Sequence, residues 1–132
     1  MERINLETAE RQQFIDVTQL VYQRVKKYKI NSGLCVIFCP HTTAAVTINE
    51  NADCDVVSDI GNYLNKAVPW NNNYSHREGN SAAHIKSSFF GCSLTVIVNN
   101  AELVLGTWQG IYFCEFDGPR SRYLDIEVIG NK

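Results

Sequence analysis

Three absences in this sequence exclude whole classes of protein. No window of about 18 apolar residues occurs, so we expect no membrane-spanning helix and no membrane partner. The formal net charge is only −2 and the basic residues are scattered, which argues against a nucleic-acid partner. The N-terminus has no apolar signal core, and the five cysteines include no Cys-x-x-Cys pair. We therefore expect a cytoplasmic protein whose cysteines are small buried side chains.

Several catalytic motifs are also missing. The chain has no Walker loop, no dinucleotide-binding glycine fingerprint, no nucleophile elbow and no Cys/His zinc finger, which argues against the enzymes and binding domains built on those motifs. What is present is ordinary for a soluble globular protein, with 45% apolar and 20% charged residues. The length predicts a single domain over residues 1–132, large enough for a real core.

The hydrophobic pattern predicts an α+β fold, with a mostly antiparallel β-sheet packed by two main helices and one short helix. Apolar residues at helical spacing predict helices over 11–29 and 53–68, and Ser81 can cap a short helix over 82–90 that ends at Gly91. The strand-like segments are 2–8, 34–39, 44–48, 94–98, 102–105, 110–116 and 122–129.

Turn and loop signals connect these elements. We expect a hairpin between the strands 34–39 and 44–48, with residues 41–43 at its bend. Asn99-Asn100 is a second hairpin signal. The polar segment 69–80 is a long loop for a compact domain, and such loops are often functional.

Three histidines stand in polar, turn-like or helix-start positions. His41 follows a strand end, His76 lies in the long loop, and His84 lies in the first turns of the short helix. Three neutral imidazoles and a water form a common catalytic zinc arrangement. No two of these histidines lie within four residues of each other, so two interpretations stay open. The histidines share one divalent metal, or they are unrelated side chains satisfied by local hydrogen bonds.

A dense polar cluster over 49–53 follows the strand 44–48. In a structural interpretation Asp53 caps the following helix and Glu50 compensates charge there. A helix start also offers free N–H groups to an anion, and Glu50 is a candidate general acid or base.

Two later segments are candidate pocket walls. The glycines at 106 and 110 suggest a bulge around Trp108, which is either core or pocket, while Gln109 is a candidate hydrogen-bonding residue. Arg120 and Arg122 follow an Asp-Gly-Pro turn. They either bind a phosphate or carboxylate, or are solvated hairpin charges.

Three segments closely resemble the YjbQ-like family, whose members are small proteins described as secondary thiamine-phosphate synthases. They run from His41 to Asp53, from Ala83 to Lys86 and from Leu105 to Phe116, and the last contains the specific segment Gly-Thr-Trp-Gln. The resemblance covers the chain from about residue 10 to residue 129. It implies an α+β fold assembled as a homotrimer, with a polar pocket that holds a divalent metal, expected to be zinc. The implied metal ligands are His41, His76 and His84.

The resemblance also implies weak thiamine-phosphate synthase activity on small phosphorylated metabolites. This reaction joins a hydroxymethylpyrimidine diphosphate to a thiazole phosphate and releases pyrophosphate. The expected catalytic residues are Glu50, His41 and His84, and the expected substrate-binding residues are Thr42, Asn51, Asp53, Lys86, Trp108, Gln109 and Arg120. The sequence has no acid-rich diphosphate motif, which argues against efficient transfer. Two alternatives stay open: a metal-dependent phosphate-ester hydrolase, and a non-catalytic protein that binds a metabolite anion.

Overall fold

The chain forms eight strands and three helices, and the computed structural model describes all residues 1–132. The elements in order are β1 (Glu2–Glu7), β2 (Gln13–Asp16), α1 (Thr18–Lys26), β3 (Ser32–Phe38), β4 (Ala44–Glu50), α2 (Cys54–Ala67), α3 (Ser81–Phe90), β5 (Ser93–Asn99), β6 (Glu102–Leu103), β7 (Gln109–Glu115) and β8 (Ser121–Asn131). Every strand pairing is antiparallel. The predicted α+β class is therefore confirmed. None of the helices is long and apolar enough to cross a membrane.

The strands form two sheets where the sequence predicted one. A five-stranded sheet has the order β1-β8-β3-β5-β6, and a three-stranded sheet has the order β2-β7-β4. The main core contains residues of both sheets, including Ile37, Leu124 and Ile126 from the first sheet and Val46 and Phe113 from the second. Burying one face of the five-stranded sheet accounts for the alternating burial along β3, β5 and β8, whereas β7 in the smaller sheet is buried on both faces.

The predicted hairpin between strands 34–39 and 44–48 is wrong. β3 pairs with β5 and β8, whereas β4 pairs with β7, so the chain leaves one sheet at Phe38 and enters the other at Ala44. Pro40 has no N–H and cannot continue the β3 ladder. The segment 41–43 is consequently a crossover between the sheets, and it contains the half-buried His41.

The predicted helix over 11–29 is too long. Its first part is the strand β2, which pairs with β7, and only Thr18–Lys26 is helical. The apolar residues of this segment fit both a helical and a strand period. The segment forms a strand because it pairs with the edge of β7. A carboxylate oxygen of Asp16 accepts hydrogen bonds from the backbone N–H of Thr18 at 3.0 Å and from its hydroxyl at 2.6 Å. This turn starts the helix only after the strand has ended.

Residues at the helix boundaries determine where α2 begins and where α3 begins and ends. Asp53 caps α2 as predicted, because its Oδ1 accepts a hydrogen bond from the N–H of Asp55 at 2.9 Å. Ser81 is already helical, so Asn80 occupies the cap position that the sequence assigned to Ser81. Gly91 ends α3 with a φ of 96°, a conformation that favours glycine.

The hairpin between β5 and β6 is confirmed with its turn displaced by one residue. Asn100 and Ala101 both have positive φ, at 52° and 62°, as in a type I′ turn. The strand β6 is only two residues long and lies at the edge of its sheet.

The prediction that all five cysteines are buried is only partly confirmed. Cys35, Cys39 and Cys114 are buried, whereas Cys54 and Cys92 are exposed, and all five are free thiols. Burial raises the pKa of the Cys35 thiol to about 11. The buried thiols therefore act as small apolar side chains.

The pairing of β4 with β7 decides where the candidate residues lie. Ala44 is opposite Glu115 at one end of this pair, and Glu50 is opposite Gln109 at the other. A strand of seven residues spans roughly 20 Å between its first and last residues. The polar segments before and after β4 therefore lie at opposite ends of the strand pair, which we term the histidine end and the glutamate end.

Candidate functional site

Two polar depressions meet at the histidine end. Their volumes are about 500 Å³ and 330 Å³, and His41, Thr42 and His84 line both of them. We term the combined cavity the histidine pocket. Its polar lining side chains include His41, Thr42, Glu78, Asn80, His84, Ser87, Ser88, Asp117 and Arg120. This cavity, with its concentration of polar side chains, is the candidate functional site.

Helix α3 brings His84 to His41 through its serines. The Ser87 hydroxyl donates to the carbonyl of Thr42 at 2.7 Å, which ties α3 to the crossover that carries His41. The Ser88 hydroxyl donates to the carbonyl of His84 at 2.8 Å. The first bond joins segments 45 positions apart in the chain, whereas the second lies within α3.

The backbone of Tyr123 orients the imidazole of His41. Its Nε2 lies 3.1 Å from both the amide nitrogen and the carbonyl oxygen of Tyr123. In the tautomer that donates to the carbonyl, Nδ1 keeps a free lone pair, the arrangement usual for metal-bound or basic histidines. Burial, reinforced by the nearby charge of Arg122, lowers the pKa of His41. His41 is therefore neutral at pH 7 and available as a base or ligand.

His76 and His84 are neighbours in the same region. Their ring centroids are 5.4 Å apart with the planes nearly perpendicular. Neutral imidazoles fit zinc in chemical kind. In one triplet of possible metal ligands, the exposed run Asp53-Cys54-Asp55, the ligand atoms all lie within 4.8 Å of one another. The ligand atoms of the three histidines do not meet this distance. A single ion would contact all three histidines only after their side chains moved closer together.

A buried ion pair forms the wall behind the pocket. The two carboxylate oxygens of Glu115 accept from the Arg122 guanidinium at 2.6 Å and 2.9 Å, and Arg122 also donates to the Thr43 hydroxyl at 2.8 Å. The Thr8 hydroxyl donates to Glu115 at 2.8 Å. Burial would raise the pKa of Glu115, but these hydrogen bonds outweigh it and hold the pKa below its usual value. Arg122 is thus a structural residue, not a solvated charge.

Arg120 differs from Arg122, since its side chain is half exposed at the pocket rim. It donates to the carbonyl of Asp117 at 2.7 Å and to the carboxylate of the same residue at 2.9 Å. Its outer face stays open to solvent, as the interpretation of a solvated hairpin charge predicts. Because it also lines the pocket, it remains the candidate group for binding an anion.

Asn80 is a pocket residue that sequence reasoning missed. Its Nδ2 donates to the carboxylate of Asp117 at 2.9 Å, and its Oδ1 is the one buried side-chain polar atom without a hydrogen-bond partner. Leaving a buried acceptor unpaired costs about 1–3 kcal/mol. A ligand donor that reaches this oxygen would recover that cost. The available signal was the position of Asn80 directly before a helix, which sequence reasoning assigned to Ser81.

Five other candidate residues lie at the glutamate end, roughly 20 Å from the histidine pocket. They are Glu50, Asn51, Asp53, Trp108 and Gln109. Asn51 donates to the Asp16 carboxylate at 3.0 Å, and the side-chain oxygen of Gln109 accepts from the N–H of Gly106 at 2.7 Å. Trp108 is 62% exposed, which excludes the core interpretation. Within one chain Asp53 serves a cap and Gln109 a turn, while Asn51 joins this end of the strand pair to Asp16.

Lys86 lies neither in the histidine pocket nor at the glutamate end. It is two positions from His84 on α3 and donates to side-chain oxygens of Gln12 and Asn65. It lines a separate cavity that shares no residue with the histidine pocket. The structure thus brings His41, Thr42, His76, His84 and Arg120 to one region and divides the other predicted site residues between two more.

Comparison with known proteins identifies a family for the whole chain. The family described as "UPF0047 protein YjbQ-like" matches residues 2–131. UPF0047 protein YugU of Bacillus subtilis is 49% identical over 131 residues, covering 98% of this chain and 99% of its own. UPF0047 protein MJ1081 of Methanocaldococcus jannaschii is 48% identical over 130 residues, covering 98% of this chain and 94% of its own.

Solved structures show the same fold. An uncharacterised conserved protein of the YjbQ/UPF0047 family from Clostridium acetobutylicum has 51% identity and a TM-score of 0.96, covering 98% of this chain and 100% of its own. A protein from Sulfolobus solfataricus, described as being of unknown function, has 33% identity and a TM-score of 0.95, covering 98% and 96%. These similarities extend over both ends of the β4–β7 pair.

Proposed function

The chain belongs to the YjbQ-like UPF0047 family, and we propose that it is a small enzyme acting on phosphorylated metabolites in the histidine pocket. The observation that carries this proposal is one polar cavity lined by His41, His84 and Arg120, with the unpartnered oxygen of Asn80 beside it. A base, a cation and a free acceptor in one concave site are the parts that phosphate chemistry requires.

Each residue has a distinct role in this proposal. His41 would present Nδ1 to the metal described below while its Nε2–H donates to the Tyr123 carbonyl, which holds the ring in place. Arg120 binds a phosphate oxygen at the rim. Asn80 accepts a hydrogen bond from a substrate hydroxyl or amine through Oδ1. Thr42 and His84, which line both depressions, position the substrate between them.

The proposal includes a divalent metal, expected to be zinc, held by His41, His76 and His84. When bound, such an ion polarises a phosphoryl oxygen and neutralises the charge of a diphosphate leaving group. The support is that both backbone contacts of the His41 ring are made by Nε2, which leaves Nδ1 without a hydrogen-bond partner, and that the rings of His76 and His84 are adjacent.

The reaction we propose is a weak transfer of the thiamine-phosphate synthase type. Such a transfer needs room for two substrates, and two adjoining depressions that share His41 and His84 offer it. The diphosphate substrate occupies the depression lined by Arg120, and the thiazole phosphate occupies the other. Pyrophosphate then leaves toward the solvent-exposed face of Arg120.

We also propose a homotrimer in which two chains share the site. Leu34, Ile97 and Ile129 are exposed side by side on the outer face of the five-stranded sheet, because Leu34 pairs with both of the others. An apolar row of this kind favours coverage by another subunit. Assembly would also allow Glu50 of one chain to reach the histidine pocket of the next, which it cannot do within its own chain. Glu50 would then act as general acid or base.

Metal content and turnover test these proposals together. The untagged protein is purified without chelators and compared with His41→Ala, His84→Ala and Cys54→Ser. Cys54→Ser is the matched control, since it alters the exposed Asp53-Cys54-Asp55 triplet. We expect about one zinc ion per chain in the wild type and in the control, and loss of the ion in both histidine variants. Retention of metal in both histidine variants would overturn the metal site.

Turnover then separates the functions. Pyrophosphate released only when the pyrimidine diphosphate and the thiazole phosphate are both present, and lost in His41→Ala, supports transfer. Phosphate released from a simple ester without a second substrate would replace transfer by hydrolysis. Thermal stabilisation by either substrate with no product would indicate a binding protein instead.

A further inference from the structure

A second cavity of about 340 Å³ lies on the opposite side of α3 from the histidine pocket. Lys86 faces it, and Lys86 lies two positions after His84, which places the two side chains roughly 200° apart around the helix. The other lining residues include Arg11, Gln12, Asn65, Trp70 and Phe116. None of these residues lines the histidine pocket.

Lys86 is a buried cation without an acidic partner. It is only 4% exposed, and its Nζ donates to the side-chain oxygens of Gln12 at 2.7 Å and Asn65 at 2.8 Å. None of the six ion pairs in the chain includes it. Lysine is almost never fully buried unless it is paired. Since an ammonium has three donors, two neutral acceptors leave one N–H without a hydrogen-bond partner, and the charge meets only the ring of Phe116, whose centroid is 6.0 Å away.

A second cation faces the same cavity. The guanidinium of Arg11 lies 4.2 Å from the centroid of the Trp70 ring and forms no ion pair. Burial lowers the pKa of Lys86, and the charge of Arg11 lowers it further. No acidic residue lines the cavity. Two cations that converge on an acid-free cavity repel each other, and an anion between them removes that repulsion.

The remaining walls are suited to a small organic anion. Trp70 and Phe116 are apolar surfaces beside the two cations. The amides of Gln12 and Asn65 hold the ammonium in one position, so its direction is set before a ligand arrives. Arg11 is exposed and lines the cavity, where its planar guanidinium can bind two oxygens of one group.

We propose that this cavity, the lysine pocket, is a second ligand site that binds the oxyanion of a small molecule between Lys86 and Arg11. The group is a carboxylate or a phosphate, and the apolar part of the ligand packs against Trp70 and Phe116. The lysine pocket goes beyond the proposed function, because it needs neither the histidines nor a metal. Lys86 thus acts as an anion-binding residue at a site separate from the histidine pocket.

Fluorescence of Trp70 provides a local test. The chain has two tryptophans, so Trp108→Phe leaves Trp70 as the sole reporter while changing only an exposed residue at the glutamate end. Inorganic phosphate and succinate are titrated separately into this protein at constant ionic strength. We expect a saturable change with at least one of them. Saturation by phosphate alone assigns a phosphate group, saturation by succinate alone assigns a carboxylate, and no saturable change with either overturns the proposal.

Charge variants identify the groups involved. Arg11→Gln and Lys86→Met are each expected to weaken binding by about tenfold or more. Lys66→Gln is the matched control, because it removes one positive charge from the end of α2 beside Asn65 without altering the cavity lining. His84→Ala is expected to bind like the parent. Equal affinity in Arg11→Gln and the control, or loss of binding in His84→Ala, would overturn the proposal. If Lys86→Met does not fold, the exposed Arg11 decides the result alone.

Discussion

The two ends of the β4–β7 pair contain similar residue types and use them differently. At the histidine end, Glu115 and Arg122 are 0% and 7% exposed, and their hydrogen bonds reach partners far away in the chain. At the glutamate end, the side chains of Asp53 and Gln109 bond to residues two or three positions away. Polar residues thus form a buried tertiary network at the histidine end, whereas the glutamate end combines a local cap and turn with one exposed contact, from Asn51 to Asp16.

This difference predicts where substitutions are most costly. A buried charge depends on a distant partner for its compensation, so removing one partner leaves the other in a medium that cannot solvate it. When an exposed cap or turn hydrogen bond is lost, the freed groups form hydrogen bonds with water instead, so the loss of stability is small. The stability of the chain is therefore expected to be far more sensitive at the histidine end.

Glu115→Gln should give the largest effect. The substitution keeps the shape of the side chain but leaves the Arg122 charge buried without its counter-ion, which typically costs about 3–5 kcal/mol of unfolding free energy. Urea denaturation measures the loss. Glu7→Gln is the control, since Glu7 is an exposed carboxylate that accepts from Ser121. A loss in Glu115→Gln no larger than in the control would show that the buried ion pair contributes no more to stability than an exposed carboxylate does.

Gly110→Ala should give an intermediate effect at the glutamate end. A Cβ built at Gly110 would lie 2.6 Å from Cγ of Asn51, so the Asn51 side chain must be displaced from its bond to Asp16. Overpacking of this kind costs about 1–3 kcal/mol. Thermal or urea unfolding of the single variants and of the double variant with Asn51→Ala measures the coupling. We expect the double variant to lose less than the sum of the two single losses, and strict additivity would contradict the close approach.

The pH dependence of stability should give the smallest effect, at the histidine end. The pKa of His41 is lower in the folded chain than its ordinary value of 6.5, so protonation favours the unfolded state. The contribution of neutral His41 is complete above about pH 6.5 and is lost as the pH falls through the folded-state pKa. Glu115 has a lowered pKa as well, but its contribution is lost only at more acidic pH, below its ordinary value of 4.5.

Unfolding free energies between pH 7 and pH 5, measured with a chelator present, check this prediction. The wild type is expected to lose more stability over this range than His41→Gln, which has no ionisable ring. Parallel curves for the two proteins would assign the acid sensitivity to other groups.

Short-range patterns were sufficient for many of the elements. The apolar stripe of α2, the Asp53 cap and the Gly91 end of α3 were predicted correctly because each depends on residues within a few positions. The antiparallel α+β class followed from the order of such elements. The resemblance to a known family added a grouping of the histidines that no spacing indicated.

Long-range contacts decided the rest. Residues 13–16 have a pattern that suits a helix, but they complete an open edge of β7, about 100 positions later in the chain. The local sequence also does not show which of the two sheets a strand joins. The pairing of β4 with β7 set the distance between His41 and Glu50. The surroundings of Lys86 could not be predicted for the same reason, because the side-chain oxygens that it contacts belong to Gln12 and Asn65, in distant parts of the chain. Periodicity and capping are properties of neighbouring residues, whereas pocket membership depends on which distant surfaces bury each other, as Thr8 and Glu115 do across 107 positions.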